Sequence, residues 1–568
     1  MTKILGIKFG GHDTAAALLI DGKIVAACAQ ERYTRDKHSR NFPKEAVNDC
    51  LKIGNITIKD IDEIAFVNDI DRFIREMYLR PALENKERLN FLFNDIEKIT
   101  KIYNYEKIIR QELNFKGSIK TYRHHLCHVA SAYFSSGYDK SLCLSIDGFG
   151  EFETGIFASG EKGKINVLHD KNVYPHSLGL TYSAITDFLG WKHHCDEGII
   201  MGLAPFGNAK SIIPGTKKSY ISIFKEIIIE KNNFNYEINP KYIDYYTKRN
   251  QWVTESFKKI FGKKRNYKDK IKQHHKDIAA ALQLRLEEVV LNQLKKARKK
   301  FGYKKLCLAG GVALNCSMNG KIQKSKLFDE IFVFPASGDD GCTIGACYLA
   351  YKNIKKTFIP KKDLNFYKGS IFSQKEIENS IKDSRLKYIK PDNIYETVSN
   401  FLKEGKIIAW FQEGAEFGPR ALGNRSILCK PYPVSMRDYL NKKVKFREEF
   451  RPFAPAVLDK YQKEFFELDQ ESPHMLIATK VMKNKKNSIP AVVHIDDTCR
   501  VQTVKESVNK KFYKLIESFH KATGIPVLLN TSFNVKGQPI VNTPLEALET
   551  FKNTNIDVLA IGDFVLVK

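Results

Sequence analysis

A glycine-bearing turn between apolar strands occurs three times in this chain, and that recurrence constrains the fold more than any other feature. Lys3–Phe9 reads as a strand, Gly10-Gly11-His12-Asp13 as a tight turn and Thr14–Ile20 as a second strand. Asp21-Gly22 is a strong hairpin signal and leads into a third strand, Lys23–Gln30. The second occurrence is Ser141–Gly150, where Ser-Leu-Cys-Leu-Ser-Ile-Asp-Gly-Phe-Gly reads as a strand running into a turn. The third follows a helix expected over Asp277–Lys300, in which Ile278, Leu282, Leu286, Val289 and Val290 recur at helical spacing. It leads to Leu306-Cys307-Leu308-Ala309-Gly310-Gly311-Val312-Ala313-Leu314-Asn315. Glycines at such turns let backbone N–H groups approach a phosphate closely. The pattern implies two related α/β halves around a cleft. An ordinary α/β sheet with glycine-rich turns is the simpler alternative.

A chain of 568 residues exceeds one core, so two to four domains are expected. The pattern breaks into Lys-, Asn- and Pro-bearing sequence around 352–375, which places a boundary between a domain of residues 1–355 and one of residues 366–568. Residues 60–120 and 210–270 have helical patterning without a site signature and read as insertions that shape a pocket. No run is long enough to span a bilayer, and the N-terminal stretch has no export signal. Eleven cysteines without a Cys-x-x-Cys pair suit reduced thiols and a cytoplasmic setting. The net charge of +27 favours anionic ligands weakly, because the excess is lysine spread along the whole chain.

His124 and His128, in His-His-Leu-Cys-His, lie four apart and share one face of a helix, a spacing at which two imidazoles can hold one metal ion. A hydrolytic zinc helix would carry Glu after its first His, and here position 125 is His. Two polar residues lining a helix is the competing explanation. In the C-terminal part, Gly405–Phe411 reads as a strand followed by Gln412–Ser426, rich in glycine and arginine. Then comes Lys443–Pro455, where Lys445, Arg447 and Arg451 alternate with Phe446 and Phe450. In an extended segment these would form a cationic face above an apolar one. Arg420, Arg500, Ser532 and Asn534 add guanidinium, hydroxyl and amide groups, and the set points to an anion pocket.

The chain resembles the O-carbamoyltransferases that act on nodulation factors, cephalosporins and aminoglycosides. The resemblance rests on Gly10-Gly11-His12-Asp13, Glu31-Arg32-x-Thr34-Arg35-x-Lys37-His38, His124-His125-x-x-His128, Met201-Gly202-Leu203-Ala204-Pro205 and Gly310–Asn315. It also rests on Gly338-Asp339-Asp340-Gly341, Phe417–Gly423, Arg451–Pro455 and Asn530–Asn534. It implies an actin-like N-terminal domain, similar to the tRNA threonylcarbamoyltransferase. It further implies an α+β C-terminal domain similar to threonylcarbamoyl-adenylate synthase. By resemblance, ATP, carried with Mg2+, and carbamoyl phosphate form carbamoyl-adenylate on Arg420, Lys445, Arg447, Arg451, Arg500, Ser532 and Asn534, with Gly310, Gly311 and Asn315 as further nucleotide contacts. Iron is implied on His124, His128, Asp147 and Asp339, with Asp340 a rival for the last place; manganese or zinc could fit the same donors. His12 is expected as general base for the acceptor hydroxyl and Lys37 as a phosphate-neutralising catalytic residue. Many members carry Lys shortly before Met201-Gly202, where this chain has Ile199-Ile200.

The expected activity is therefore ATP-dependent carbamoyl transfer to a small hydroxylated, sugar-containing acceptor, without a specific nucleic acid or membrane partner; the resemblance leaves room for a homodimer. Two alternatives share parts of the sequence. Transfer to tRNA would suit the charge, yet no RNA-binding module with interleaved aromatic platforms is visible. An actin-like sugar kinase or scaffold would need only one nucleotide site and leaves the 417–451 arginines unexplained.

Overall fold

The structure, a computed structural model, describes residues 1–249 and 251–568. The chain forms two compact units: the first comprises Met1–His12, Leu18–Lys23 and Thr57–Lys362, the second Asp13–Ala17, Ile24–Ile56 and Asp363–Lys568.

The first five strands are β1 (Lys3–Lys8), β2 (Ala15–Ile20), β3 (Lys23–Ala29), β4 (Glu63–Val67) and β5 (Ser118–Tyr122), in the order β3-β2-β1-β4-β5. β1, β4 and β5 run parallel, with Leu5 opposite Ile64 and Ile64 opposite Ile119. Asp21 and Gly22 both have positive φ (46° and 80°), as a two-residue hairpin turn of this hand requires. The chain continues with β6 (Lys140–Gly150), β7 (Glu153–Glu161), β8 (Lys164–Val173), a small ribbon of β9 (Ile228–Glu230) and β10 (Tyr236–Ile238), β11 (Lys305–Ala309) and β12 (Glu330–Val333). The second sheet has the order β8-β7-β6-β11-β12, with β6, β11 and β12 parallel. Both sheets thus follow one plan: a meander whose first strand pairs with a parallel strand, which pairs in turn with a second parallel strand. This duplication is the actin-like architecture expected from the repeated turns.

Ser141–Gly150 corrects its sequence reading. Strand β6 runs through Gly150 and reverses only at Glu151-Phe152, with an irregular register between Ile146 and Gly150. Pairing with β7 holds the glycine-bearing end extended, and the irregularity absorbs it.

The helix His124–Ser136 ends at Gly137, whose φ of 72° suits a left-handed C-cap. All but one of its residues are buried. It lies against Cys342–Ile354 so closely that a Cβ on Gly345 would meet the Cys127 carbonyl oxygen at 1.8 Å. The long helix Gln273–Phe301 exceeds its expected span at both ends and stops at Gly302, φ 76°.

The second unit is built on a seven-stranded mixed sheet. Its strands are β13 (Ile408–Phe411), β14 (Arg425–Cys429), β15 (Ala454–Leu458), β18 (Gln502–Val504), β19 (Val527–Ser532), β20 (Val558–Ile561) and β21 (Phe564–Val567), with β16 (Ala478–Lys480) and β17 (Thr498–Arg500) as a separate ribbon. The order is β18-β15-β19-β14-β13-β20-β21. Trp410, Phe512, Phe519 and Leu528 centre a core between this sheet and its helices, giving the α+β class expected for the C-terminal part. Two local expectations fail here. The strand expected at Gly405 begins at Ile408, because Gly405 (φ 90°) terminates the helix Ile394–Glu404. Lys443–Arg451 is not extended: Leu440–Lys445 is a wide helical turn closed by Phe446 in the left-handed region (φ 48°). The alternation of charge and aromatic residues there comes from a turn, not from pleating.

Candidate active sites

In the first unit the ends of several elements bring four donors together. His124 and His128 share one face of their helix. Asp147 comes from β6 and Asp339 from the turn Asp339–Gly341. The His128 Nε2 lies 3.0 Å from His124 Nε2 and 3.1 Å from Asp147 Oδ2. His124 Nε2 is 3.4 Å from Asp147 Oδ2 and 3.5 Å from Asp339 Oδ1. The four donor atoms lie within 4.8 Å of one another. Asp340 stays outside the cluster; its Oδ1 accepts from the Gly341 N–H at 3.0 Å.

The electrostatics of this cluster are mutual. Burial opposes a proton on His124, but Cys342, Asp339 and Asp147 outweigh it and raise the imidazole to about 10. Burial likewise opposes the charge on His128, and Asp147 and Asp339 raise it to about 9. Burial and Asp339 push the Asp147 carboxyl up, yet the two histidines win and hold it at about 2. These residues fit a divalent first-row metal. Two imidazole nitrogens and two carboxylates are the donor types such ions take. Facing Nε2 atoms at 3.0 Å can both turn their lone pairs inward only onto a cation. His128 Nδ1 is buried without a hydrogen-bond partner among the described residues, so the ring's polar bonding runs through Nε2.

Three residues that the sequence reasoning missed hold this site. Lys8, 2% exposed, donates from Nζ to the His12 carbonyl at 2.7 Å and pairs with Asp339 Oδ2 at 2.9 Å. Its signal was a lysine closing an apolar strand just before Gly10-Gly11. Glu151 accepts from the His124 and Asp69 N–H groups at 2.9 and 2.8 Å. His125 is fixed by Ser145 Oγ at 2.8 Å and the Glu153 carbonyl at 3.0 Å, and burial pushes it down to about 3. Gly310 and Gly311 adjoin the cluster. A Cβ on Gly311 would meet Asp147 Oδ1 at 2.8 Å, and Gly310 (φ 86°) abuts the Ile146 backbone. Asn315 caps the helix Cys316–Lys324 and exchanges amide hydrogen bonds with Gln283 at 2.9 and 3.0 Å.

The second unit gathers cations. Lys445, buried, donates to Ser532 O at 2.8 Å, Asn534 O at 2.9 Å and Asn534 Oδ1 at 2.6 Å. Burial first, then Arg447, Arg451 and Lys37, push its ammonium well below the ordinary lysine value. Arg447 donates to Asn441 Oδ1 at 2.7 Å and stacks on Phe453 at 4.4 Å. Burial, Arg451 and Arg500 likewise weigh against its charge, and Glu448 partly offsets them. Lys37 therefore stands with these cations. It is placed by a short helix, Glu31–Thr34, whose flanks are tied down within the same unit. Arg32 donates to Gly418 O at 2.8 Å and Arg35 to Ile540 O at 2.7 Å, while Tyr33 Oη donates to Asp49 at 2.6 Å. Arg420 sits half-buried in the loop between β13 and β14. Buried Glu416 closes that loop by accepting the N–H groups of Leu422, Asn424 and Arg425 at 2.8, 2.8 and 3.1 Å.

Comparison with known proteins adds the following. A family model described as the carbamoyltransferase N-terminus matches residues 3–348, and one described as the carbamoyltransferase C-terminus matches residues 399–568. An uncharacterised protein of Synechocystis sp. is 35% identical over 607 residues, covering 100% of this chain and 97% of the relative. The nodulation protein NolNO of Sinorhizobium fredii is 35% identical, covering 98% of this chain and 79% of its own length. Among solved structures, HypF of T. kodakarensis matches 63% of this chain and 48% of its own at 15% identity and a TM-score of 0.33, too partial to inform the fold.

Proposed function

Because this chain belongs to the carbamoyltransferase family, we propose that it is an ATP-dependent O-carbamoyltransferase that makes carbamoyl-adenylate in its C-terminal part and delivers the carbamoyl group to a hydroxyl of a small, sugar-containing acceptor. The division of labour follows the two sites, with residues 1–355 carrying transfer and residues 366–568 carrying adenylate formation. One observation supports this most: a single chain holds both a buried His/Asp cluster beside a turn histidine and a separate cluster of crowded cations.

In the C-terminal site Lys445, Arg447, Arg451, Arg500 and Arg420 bind the phosphates of ATP and of carbamoyl phosphate, while Ser532 and Asn534 orient the Lys445 ammonium. Lys37 adds charge to the same anions. The mutual repulsion of these cations is relieved when phosphate enters, so part of the binding free energy comes from the protein itself. In the transfer step the acceptor oxygen attacks the carbonyl carbon of carbamoyl-adenylate, the bond to AMP breaks, and the hydroxyl proton passes to His12. Lys8 fixes the His12 backbone for that task. His124, His128, Asp147 and Asp339 would hold divalent iron, which when bound supplies positive charge that orients phosphate oxygens and offsets developing negative charge. Mg2+ accompanies ATP.

Water must first cleave carbamoyl phosphate to carbamate and inorganic phosphate, and the carbamate oxygen then displaces pyrophosphate from ATP. The purified protein given ATP and carbamoyl phosphate should therefore release inorganic phosphate and pyrophosphate, and AMP once an acceptor is added. Absence of pyrophosphate with iron, manganese and zinc each supplied in turn would refute the proposal.

A further inference from the structure

A buried thiol stands at the His/Asp cluster, and no step of the proposed reaction uses it. Cys342, 0% exposed, opens the helix Cys342–Ile354 directly after the turn that supplies Asp339. Its Sγ, a ring nitrogen of His124 and a ring nitrogen of His128 lie within 4.8 Å of one another. Two donor sets therefore overlap on the same two histidines. One adds the carboxylates of Asp147 and Asp339, the other the sulfur of Cys342. By contrast, Cys127 and Cys347 donate to the carbonyl oxygens of Tyr122 and Ile4 at 3.7 and 3.8 Å, and neither joins such a group among the described residues.

The fold fixes the sulfur in that position. A Cβ on Gly341 would meet the Ala336 carbonyl oxygen at 1.8 Å, so a glycine is needed for the turn to close this tightly before Cys342. The Gly341 N–H donates to Gly338 O at 3.1 Å and Thr343 Oγ1 to Asp340 O at 2.7 Å, which locks the start of the helix. The helix then packs against the one that carries both histidines, through the close approach of Gly345 to Cys127. The sulfur rests against that neighbour as a thiol, donating to His124 O at 3.8 Å. A helix N-terminus favours a thiolate, and a bound cation deprotonates a coordinating thiol outright.

We propose that Cys342 is a further ligand of this centre, its sulfur joining His124 and His128 on the ion, and that it makes the centre selective for thiophilic divalent ions such as iron and zinc over manganese and magnesium. Thiolate and imidazole donors favour iron and zinc, whereas carboxylate and water suit manganese and magnesium. On binding, the sulfur–metal bond forms as the thiol proton leaves to solvent. The inference rests on the reading of His124, His128, Asp147 and Asp339 as a metal centre, and it names the class of ion that centre takes.

Cobalt(II) tests it, because cobalt bound to a thiolate absorbs in the near ultraviolet by charge transfer and cobalt on nitrogen and oxygen donors does not. Full-length protein stripped of metal with a chelator is titrated with Co2+, and the wild type should show that band rising to saturation. The band should vanish in Cys342→Ser and in Cys342→Ala and persist in Cys347→Ala, whose thiol lies on the same helix. By equilibrium dialysis, Cys342→Ser should bind Zn2+ on the order of 10 to 100-fold more weakly and Mn2+ as the wild type does. Cobalt bound by the wild type without the band overturns the assignment and leaves the His/Asp centre standing, whether or not the variants fold. A band that survives in both Cys342 variants does the same. Equal loss of Zn2+ and Mn2+ affinity also overturns it, since a merely structural cysteine would act on both ions alike. No cobalt binding at all overturns the inference together with the centre it rests on. Pyrophosphate release by the same preparation, supplied with ATP and carbamoyl phosphate, bears on the carbamoyl-transfer function separately.

Discussion

The two candidate sites are electrostatic opposites. In the first unit, two carboxylates and two imidazoles face one another around Lys8, and each charge finds a partner within 4 Å. In the second, Lys37, Lys445, Arg447, Arg451 and Arg500 act on one another with Glu448 as the acidic offset. The first arrangement is nearly neutral and shaped around a point, as a cation requires. The second carries a surplus spread over several forks, as polyphosphate requires. Under the proposed function, activation of the carbamoyl group and its transfer would make contrary demands on their surroundings, a reason for one chain to keep two sites.

The sharpest way to break this contrast is Lys445→Met, which keeps much of the side-chain volume and removes the charge. Carbamoyl-adenylate formation, followed by pyrophosphate release, should fall by on the order of 10² to 10³-fold, as when one preorganised donor is lost. Near-normal release would show that the cationic cluster is structural. Lys8→Met probes the other side. Losing the partner of Asp339 should weaken metal retention by about 10 to 100-fold, as loss of a supporting contact does. Mass-spectrometric metal content after dialysis against a chelator would show it, and unchanged content would detach Lys8 from the cluster.

A pH scan separates the sites from the stability of the fold. His474 is buried in the second unit, its Nε2–H donates to Leu364 O at 3.1 Å, and burial pushes it down to about 4. Its folded value lies below its unfolded one, so the unfolded chain takes up the proton first. Stability should be full above about pH 6.5 and decline as pH falls toward 4, by on the order of a few kcal/mol at most. Thermal melting of wild type against His474→Gln should show the wild type losing more over that window. Equal slopes would assign the acid sensitivity elsewhere. The smallest effect expected is that of salt. Raising it from about 50 to 500 mM should increase the KM for ATP a few-fold, because the cationic site is partly open, and leave metal retention unchanged.

Much of both sites was visible in the sequence because their donors sit at the ends of strands and helices, where local pattern is strongest. The spacing of His124 and His128, the Asp21-Gly22 turn and the Gly310-Gly311 turn all produce the local structure they suggest. What the sequence hid depends on distant partners. Lys8 is a strand lysine until its contact with Asp339 is known. The charge alternation of 443–451 mimics a strand, but its segment closes a helical turn whose lysine is drawn to β19. Lys37 lies far in sequence from Lys445 yet in the same compact unit, an association that no local pattern records.

The ammonium of Lys8 grips two things at once: the carboxylate of Asp339 and the peptide oxygen of His12. Under the proposed function, a cation entering the cluster would pull on the first, while the second would steady the turn that presents the base to the acceptor. Loading of the ion and aim of the base would thereby share one nitrogen, and a shift at either would be felt at the other.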